Sequence, residues 1–289
     1  MIYLLDILKD VTLDTALDCL KMLPFLFFAF LLLEAVEHHT SKKTDKILAS
    51  SGKLGPLVGA LLGCVPQCGF SVFAANLYSG GLIGLGTLIA VFLSTSDEAV
   101  IIMLSHPESK GEILKLIAVK VVIAIIFGYI IMLLEKKRPE PEKHVEDLCR
   151  DEHCGCHDEH GGILKPALHH TVKIFGFLVL TVFVLNLVIS LLGIDRISKL
   201  LLSDTVFQPF LSAVIGIIPN CAASIVLTEL YLKGAISFAS VISGLCMGAG
   251  AGLIVIFREN KNVKENIKIV AIMYACSVLS GIIVSFLPI

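Results

Sequence analysis

Two adjacent carboxylates, Asp97 and Glu98, interrupt an apolar run from Ala90 to Leu104. They directly follow Ser94, Thr95 and Ser96, residues of the kind that cap helix N-termini. A charge at the centre of a bilayer costs about 2.5–3.5 kcal/mol on insertion scales, so carboxylates in such a run are candidates for ion binding or proton exchange. The plainer reading is a helix start near an interface, with Ser96 capping and the acids complementing the helix dipole.

A second set is duplicated. Gly63 to Ser71 reads Gly-Cys-Val-Pro-Gln-Cys-Gly-Phe-Ser, and Gly216 to Ser224 reads Gly-Ile-Ile-Pro-Asn-Cys-Ala-Ala-Ser. One shift (219 − 66 = 153) carries Pro66 onto Pro219, Gln67 onto Asn220, Cys68 onto Cys221 and Ser71 onto Ser224. The alignment runs without a gap from Leu57–Leu104 onto Phe210–Phe257. Proline removes a backbone donor and clashes with the preceding turn, so each copy is expected to break a helix. Broken helices at membrane depth are tolerated where they line a cavity or face protein, and paired breaks point to a transporter binding site. Amides, hydroxyls, freed carbonyls and the two thiols would give a ligand set of mixed hardness. The alternative is that these groups only cap broken ends and bond helix to helix. The same shift sets Asp97 and Glu98 against Gly250 and Ala251, so acid in one half faces bare backbone in the other. That combination suits a cation held by carboxylate and carbonyl, or a carboxyl that trades a proton for it. Glu34 aligns with Asn186 when the first spans are superposed, and Glu229 with Asn76, which suggests a polar pathway or simply interfacial positions.

The third set lies in a polar stretch. His144, Cys149, His153, Cys154, Cys156, His157 and His160 place three Cys and four His, with six acids, in 17 residues. This is a metal-binding composition. The Cys-x4-Cys-x-Cys spacing matches no fixed zinc fold, so a flexible buffer or sensor is expected.

These residues need elements to hold them. Of the 289 residues 56% are hydrophobic and 17% charged, outside the range of soluble domains. The N-terminus carries Asp6, Lys9, Asp10, Asp14 and Asp18 in place of the basic region of a secretory signal, so the first long apolar run, Leu20–Val36, is expected to remain as a span. Further apolar segments cover Leu54–Tyr78, Leu82–Ser105, Ile113–Leu134, Ile174–Leu192, Phe210–Tyr231, Ala235–Phe257 and Ile267–Leu287. The cysteines within or beside them behave as small hydrophobes by default. If the Pro-broken segments are hairpins, three groups of basic residues share one side: Lys42 to Lys53, Lys136 to Lys165, and the loop residues Arg258, Lys261, Lys264 and Lys268. The positive-inside rule then makes the connector cytoplasmic. The expected fold is an all-α polytopic membrane protein of two inverted repeats, about five helices each, with Pro-broken or re-entrant helices. Its divisions are a first membrane repeat at 1–135, a cytoplasmic His/Cys-rich connector at 136–165 and a second repeat at 166–289.

With the paired Gly-x-x-Pro-Gln/Asn-Cys elements, Ser-Thr-Ser-Asp-Glu at 94–98 and the His/Cys-rich loop in view, the chain resembles the heavy-metal exporter family related to arsenic-efflux permeases, often labelled manganese transporters. The resemblance implies ten helices in two halves and export of a metal ion. The functional expectation is a secondary transporter of a divalent or heavy-metal ion in the cell membrane, driven by proton antiport. Gln67, Cys68, Ser71, Ser94, Thr95, Ser96, Asp97, Glu98, Asn220, Cys221 and Ser224 would hold the substrate. The alternative is a permease for a small organic solute or oxyanion whose connector only senses metal. No ATP-binding, phosphate-cradling, zincin or rhomboid-like motif is found, so no enzyme is expected. No cofactor is required beyond a transition-metal ion as substrate or regulator. The expected partners are that ion and the lipid bilayer, with no nucleic acid; a homodimer is left open.

Overall fold

A computed structural model describes residues 51–65, 68–95, 97–105, 110–135, 207–219 and 221–287 continuously. Between 9 and 31 and between 164 and 187 it describes only scattered helical positions. The connector ligands His144 to His160, and with them Glu34, Pro66, Gln67, Ser96, Asn186 and Asn220, lie outside the described residues.

Among the described residues every regular element is a helix. A 3-10 turn at Ser51–Lys53 leads into α1 (Gly55–Gly63), followed by α2 (Cys68–Ser79), α3 (Leu85–Ser94), α4 (Asp97–Ser105) and α5 (Lys110–Leu134). Then come α6 (Gln208–Gly216), α7 (Cys221–Leu232), α8 (Phe238–Met247), α9 (Ala251–Glu259) and α10 (Val263–Ser285). Pro56 and Pro209 stand in the first turns of α1 and α6, where the missing donor costs no helical bond. Gly111–Leu134 and Val263–Ser285 are each long and apolar enough to cross a membrane. So is Phe238–Glu259 by length and composition, but its backbone leaves the helix at Gly248–Gly250. The helices α1, α2, α6 and α7 have only 9 to 12 residues. At about 1.5 Å per residue, none of these reaches across the hydrocarbon alone.

The core is formed by α3 and α8, in which all but Thr87 and Phe238 are buried. Each is flanked by two helices of its own half, α1 and α5 around α3, α6 and α10 around α8. With few polar groups to bond and no water to expel, small residues set such packing. A Cβ added to Gly128 of α5 would lie 2.9 Å from the Cβ atoms of both Ala90 and Pro56 and 3.1 Å from the Gly86 carbonyl. A Cβ on Gly281 of α10 would lie 2.8 Å from the Ser243 Cβ, 2.9 Å from that of Pro209 and 2.9 Å from the Ala239 carbonyl. Every one of these neighbours is displaced by the same interval (281 − 128 = 153; 243 − 90 = 153; 209 − 56 = 153). Outward, α5 and α10 leave Leu114, Val122, Ile126, Ile267, Leu279 and Ile283 exposed, an apolar surface suited to lipid.

The shorter helices α2 and α7 end alike. Leu82 N–H reaches the Leu77 carbonyl at 2.9 Å, and Ala235 N–H reaches that of Leu230 at 2.8 Å. Gly81 and Gly234 adopt φ of 78° and 71° at the turn, the left-handed position that glycine takes without strain. These helices also exchange partners between halves: α2 packs on α9, and α7 packs on α4.

The polar ends are satisfied by side chains from elsewhere. Glu135 accepts from Leu85 N–H at the start of α3 (3.1 Å), and buried Gln208 accepts from Ser237 N–H at the start of α8 (3.1 Å) and from the Ser240 hydroxyl (2.7 Å). Asn262 caps α10 through Glu265 N–H at 3.3 Å. That cap starts α10 four residues before the apolar run at Ile267, so Lys264 and Lys268 stand on the helix and Arg258 on α9, rather than in a loop.

Candidate functional site

The site begins where α3 ends. Ser94 donates to the carbonyls of Ala90 (2.9 Å) and Val91 (3.0 Å), and Thr95 donates to that of Val91 (2.8 Å). These bonds turn both hydroxyls back onto their own helix, leaving the Thr95 carbonyl beyond the last helical turn. The chain re-enters a helix at Asp97, so Asp97 and Glu98 form the first turn of α4. At the matching place α8 ends at Met247, Gly250 takes φ 54° and ψ −141°, and α9 starts at Ala251. That backbone conformation is one only glycine adopts without strain.

The ends of α3 and α8 meet at one side chain. Lys120, in the middle of α5, is fully buried. Its ammonium donates to the Thr95 carbonyl and, at 2.9 Å, to the Leu245 carbonyl in the last turn of α8. Both acceptors sit at helix C-terminal ends, where the macrodipole is negative. One cation therefore joins the two halves of the chain at their breaks. Cys246, next in sequence to Leu245, is also fully buried.

The remaining ends converge on the same region. A Cβ on Gly63, the last residue of α1, would stand 2.1 Å from the Ser94 hydroxyl; one on Gly216, the last of α6, would stand 2.2 Å from the Gly244 carbonyl. So α1 and α6 finish against the ends of α3 and α8. Ser71, in the first turn of α2, is buried, and its backbone leaves only 2.8 Å for a Cβ on Gly252 at the start of α9. Ser224, in the first turn of α7, is buried too, its hydroxyl 3.7 Å from a Cβ built on Gly248. The structure thus brings Ser71, Ser94, Thr95 and Ser224 into one region. Of Cys68, Asp97, Glu98 and Cys221 it describes the backbone alone, at the starts of α2, α4 and α7.

Asn76 and Glu229 lie further along α2 and α7. The Asn76 amide donates to the Val72 carbonyl at 3.0 Å within its own helix, and Glu229 pairs with Lys233 at 3.3 Å. Neither contact joins the halves. Among the described residues no three His, Cys, Asp or Glu side chains cluster in a way that could hold a metal ion.

Two reciprocal contacts flank the centre. The Tyr78 hydroxyl, at the end of α2, donates to the Glu265 carboxylate at the start of α10. The Tyr231 hydroxyl, at the end of α7, donates to the Glu112 carboxylate at the start of α5, at 2.6 Å. The two pairs are one contact made twice with the halves exchanged (231 − 78 = 153; 265 − 112 = 153). Around the second, Lys115 pairs with Glu112 at 3.5 Å and lies 4.5 Å from the Phe238 ring centre, while the Tyr231 and Phe238 rings are 5.8 Å apart. Tyr78 and Glu265 border a cleft that Glu135, Asn262, Lys264 and Lys268 also line, so the end of α5 and the start of α10 lie at one end of the molecule.

Every regular element among the described residues is helical, three helical stretches are long and apolar enough to cross a membrane, and apolar side chains face outward, as in a membrane protein. The family described as "Putative, 10TM heavy-metal exporter" matches it over residues 8–191 and 168–288, and the chain belongs to that family. That description is of a membrane exporter and not of a class of enzymes. No curated protein and no solved structure matches the chain.

Proposed function

We propose that the protein is a multi-pass secondary transporter of the cell membrane that exports a divalent or heavy-metal cation, its halves forming an inverted repeat with the cargo held between the broken helices. The observation that carries this reading is the paired C-terminal ends of α3 and α8, whose carbonyls share one buried ammonium. Carbonyls at unwound helix ends are cation ligands in secondary transporters, and here one comes from each half. Asp97 and Glu98, two and three positions beyond Thr95, would complete the site with negative charge and couple it to protons, with Ser71 and Ser224 beside it. Carboxylate and carbonyl favour a hard ion such as Mn²⁺; Cys68 and Cys221 would shift the preference toward Zn²⁺ or Cd²⁺.

Three features support the inverted arrangement. Helices α3 and α8 bring their C-terminal ends to the same ammonium. The Tyr–Glu contact occurs twice with the halves exchanged. Glu135, at the end of α5, shares a cleft with Lys264 and Lys268, so the end of α5 and the start of α10 fall on one side, the cytoplasmic side by the positive-inside rule. Residues 136–165 then form the cytoplasmic connector, whose His and Cys side chains would buffer or sense the metal.

The competing reading is an oxyanion or small organic solute held at helix N-termini, since α2, α4, α7 and α9 all start near the centre. Flux into reconstituted vesicles tests both, with Mn²⁺, Zn²⁺, Cd²⁺, arsenite and phosphate as substrates. Metal flux that grows with an opposing proton gradient is the expected result. Oxyanion flux without metal flux would replace this proposal with the competing one.

A further inference from the structure

Resting on the cation reading above, we infer that Lys120 is a tethered stand-in for the cargo: its ammonium takes the carbonyls of Thr95 and Leu245 after the metal leaves, and so lets the unloaded carrier return. The ammonium is fully buried and bridges the two helix ends that would ligate the metal. A second cation in the same carbonyl pair would share its ligands and be repelled by it at contact distance. Occupancy by metal and by the ammonium therefore excludes one another. A lysine head on a four-carbon stem can swing aside without moving its helix, as the flexible point charge suits.

The unloaded state explains why such a residue is useful. Without a cation, two helix C-termini from opposite halves would face each other with carbonyls unsatisfied in a dry interior. That cost falls on the closed, unloaded carrier, which must form once per transport cycle. With Lys120 in place the carbonyls are bonded in both legs, by metal on the way out and by ammonium on the way back.

The second half shows what the position holds without this role. The residue equivalent to Lys120 is Met273 (273 − 120 = 153), fully buried on α10. Methionine is therefore tolerated at this register of a long central helix, which makes Lys120→Met the informative variant. It keeps an unbranched side chain and removes the ammonium.

The experiment compares two modes in vesicles with Mn²⁺ and Cd²⁺: net export down a gradient, and exchange of labelled for unlabelled metal at equal concentrations. Exchange needs only the loaded carrier, whereas net export also needs the unloaded return. In Lys120→Met, the ratio of net export to exchange should fall about tenfold or more, as expected when one leg of a cycle loses its stabilised state. Lys120→Arg, which keeps the charge, should retain net export, and methylammonium should restore part of it in Lys120→Met. Equal loss in both modes, or no loss in either, overturns the inference, as does failure of both Lys120→Met and Lys120→Gln to fold, which would make Lys120 structural. A wild-type protein inactive in both modes with both metals overturns the metal reading itself; a wild type active in both modes isolates the failure to Lys120.

Discussion

Removing one phenolic oxygen at each end of the molecule should push the carrier in opposite directions. Tyr231→Phe deletes the hydrogen bond to Glu112, and Tyr78→Phe deletes the one to Glu265, with ring packing kept in both. A hydrogen bond to a charged group contributes about 1.5–3 kcal/mol. The Glu112 side chain is 41% exposed and also pairs with Lys115, so water and the lysine recover part of the loss. About 1 kcal/mol is then the expected bias, equivalent to about fivefold in the ratio of two conformers. If the Tyr78 contact closes the cytoplasmic end and the Tyr231 contact the other, Tyr78→Phe favours the state open to the cytoplasm and Tyr231→Phe the state open outward. The assay is the alkylation rate of Cys68 and Cys221 by a membrane-impermeant maleimide added to one face of sealed vesicles, in protein whose connector cysteines are serine. Tyr78→Phe should raise labelling from the cytoplasmic face about fivefold and lower it from the other; Tyr231→Phe should do the reverse, and the double variant should return toward wild type. Shifts of the same sign, or no shift in either, would refute the assignment of these contacts to opposite faces.

Other outcomes follow from the same geometry. Asp97→Asn keeps the volume and an oxygen ligand, and should abolish proton-driven metal flux in vesicles while the protein still inserts and folds; Glu98→Gln should act similarly or more mildly. Deleting residues 144–160 should lower the metal tolerance of cells but leave flux measurable in vesicles, and complete loss at normal expression would place the connector in the pathway. Gly128→Ala and Gly281→Ala should each cost about 1–3 kcal/mol by overpacking against Pro56 and Pro209, seen as a lower unfolding temperature in detergent. Gly111→Ala, where an added Cβ meets nothing within 4 Å, is the neutral comparison.

The interval of 153 residues was legible because it joins like residues across a gap-free stretch, and the helix bounds follow it from Gly55 to Met247. The departure from helix at Gly248–Gly250 was legible from its glycines, whose backbone chemistry is local, whereas Pro66 and Gln67 lie outside the described residues. Lys120 was missed, although the rule that singled out Asp97 applies to it equally: an ionisable residue inside an apolar span is expensive and kept for a reason. Its place in the middle of a long helix, away from any motif, concealed it. The Tyr–Glu contacts are half visible, since Tyr78 and Tyr231 align within 57–104 and 210–257, but Glu112 and Glu265 lie beyond that stretch. Nor does local periodicity tell that α2 packs on α9 and α7 on α4, because that exchange depends on how two complete halves dock.

The 153-residue interval is kept at the paired Tyr–Glu contacts and lost near the centre. Tyr78–Glu265 and Tyr231–Glu112 are the same residue types in the same positions, as the proposed alternation between two end states of similar energy would need. Near the centre the symmetry fails: Lys120, Asp97 and Glu98 belong to the first half, and Met273, Gly250 and Ala251 stand in their places in the second. Two equivalent charged sets would set four carboxylates and two ammoniums at a single crossing point, an expensive density of charge in a dry interior. In the proposed transporter, one charged set against one bare backbone would give a single site, with the first half supplying charge and the second supplying the Leu245 carbonyl and, at Gly250, a conformation that only glycine allows. Transplanting the charge should therefore fail: Met273→Lys, which places a second ammonium at the equivalent position, should weaken metal binding even with Lys120 intact. A variant with Mn²⁺ affinity equal to wild type, measured by metal-dependent thermal stabilisation, would mean that position 273 lies outside the site and that the two halves do not converge on one cation.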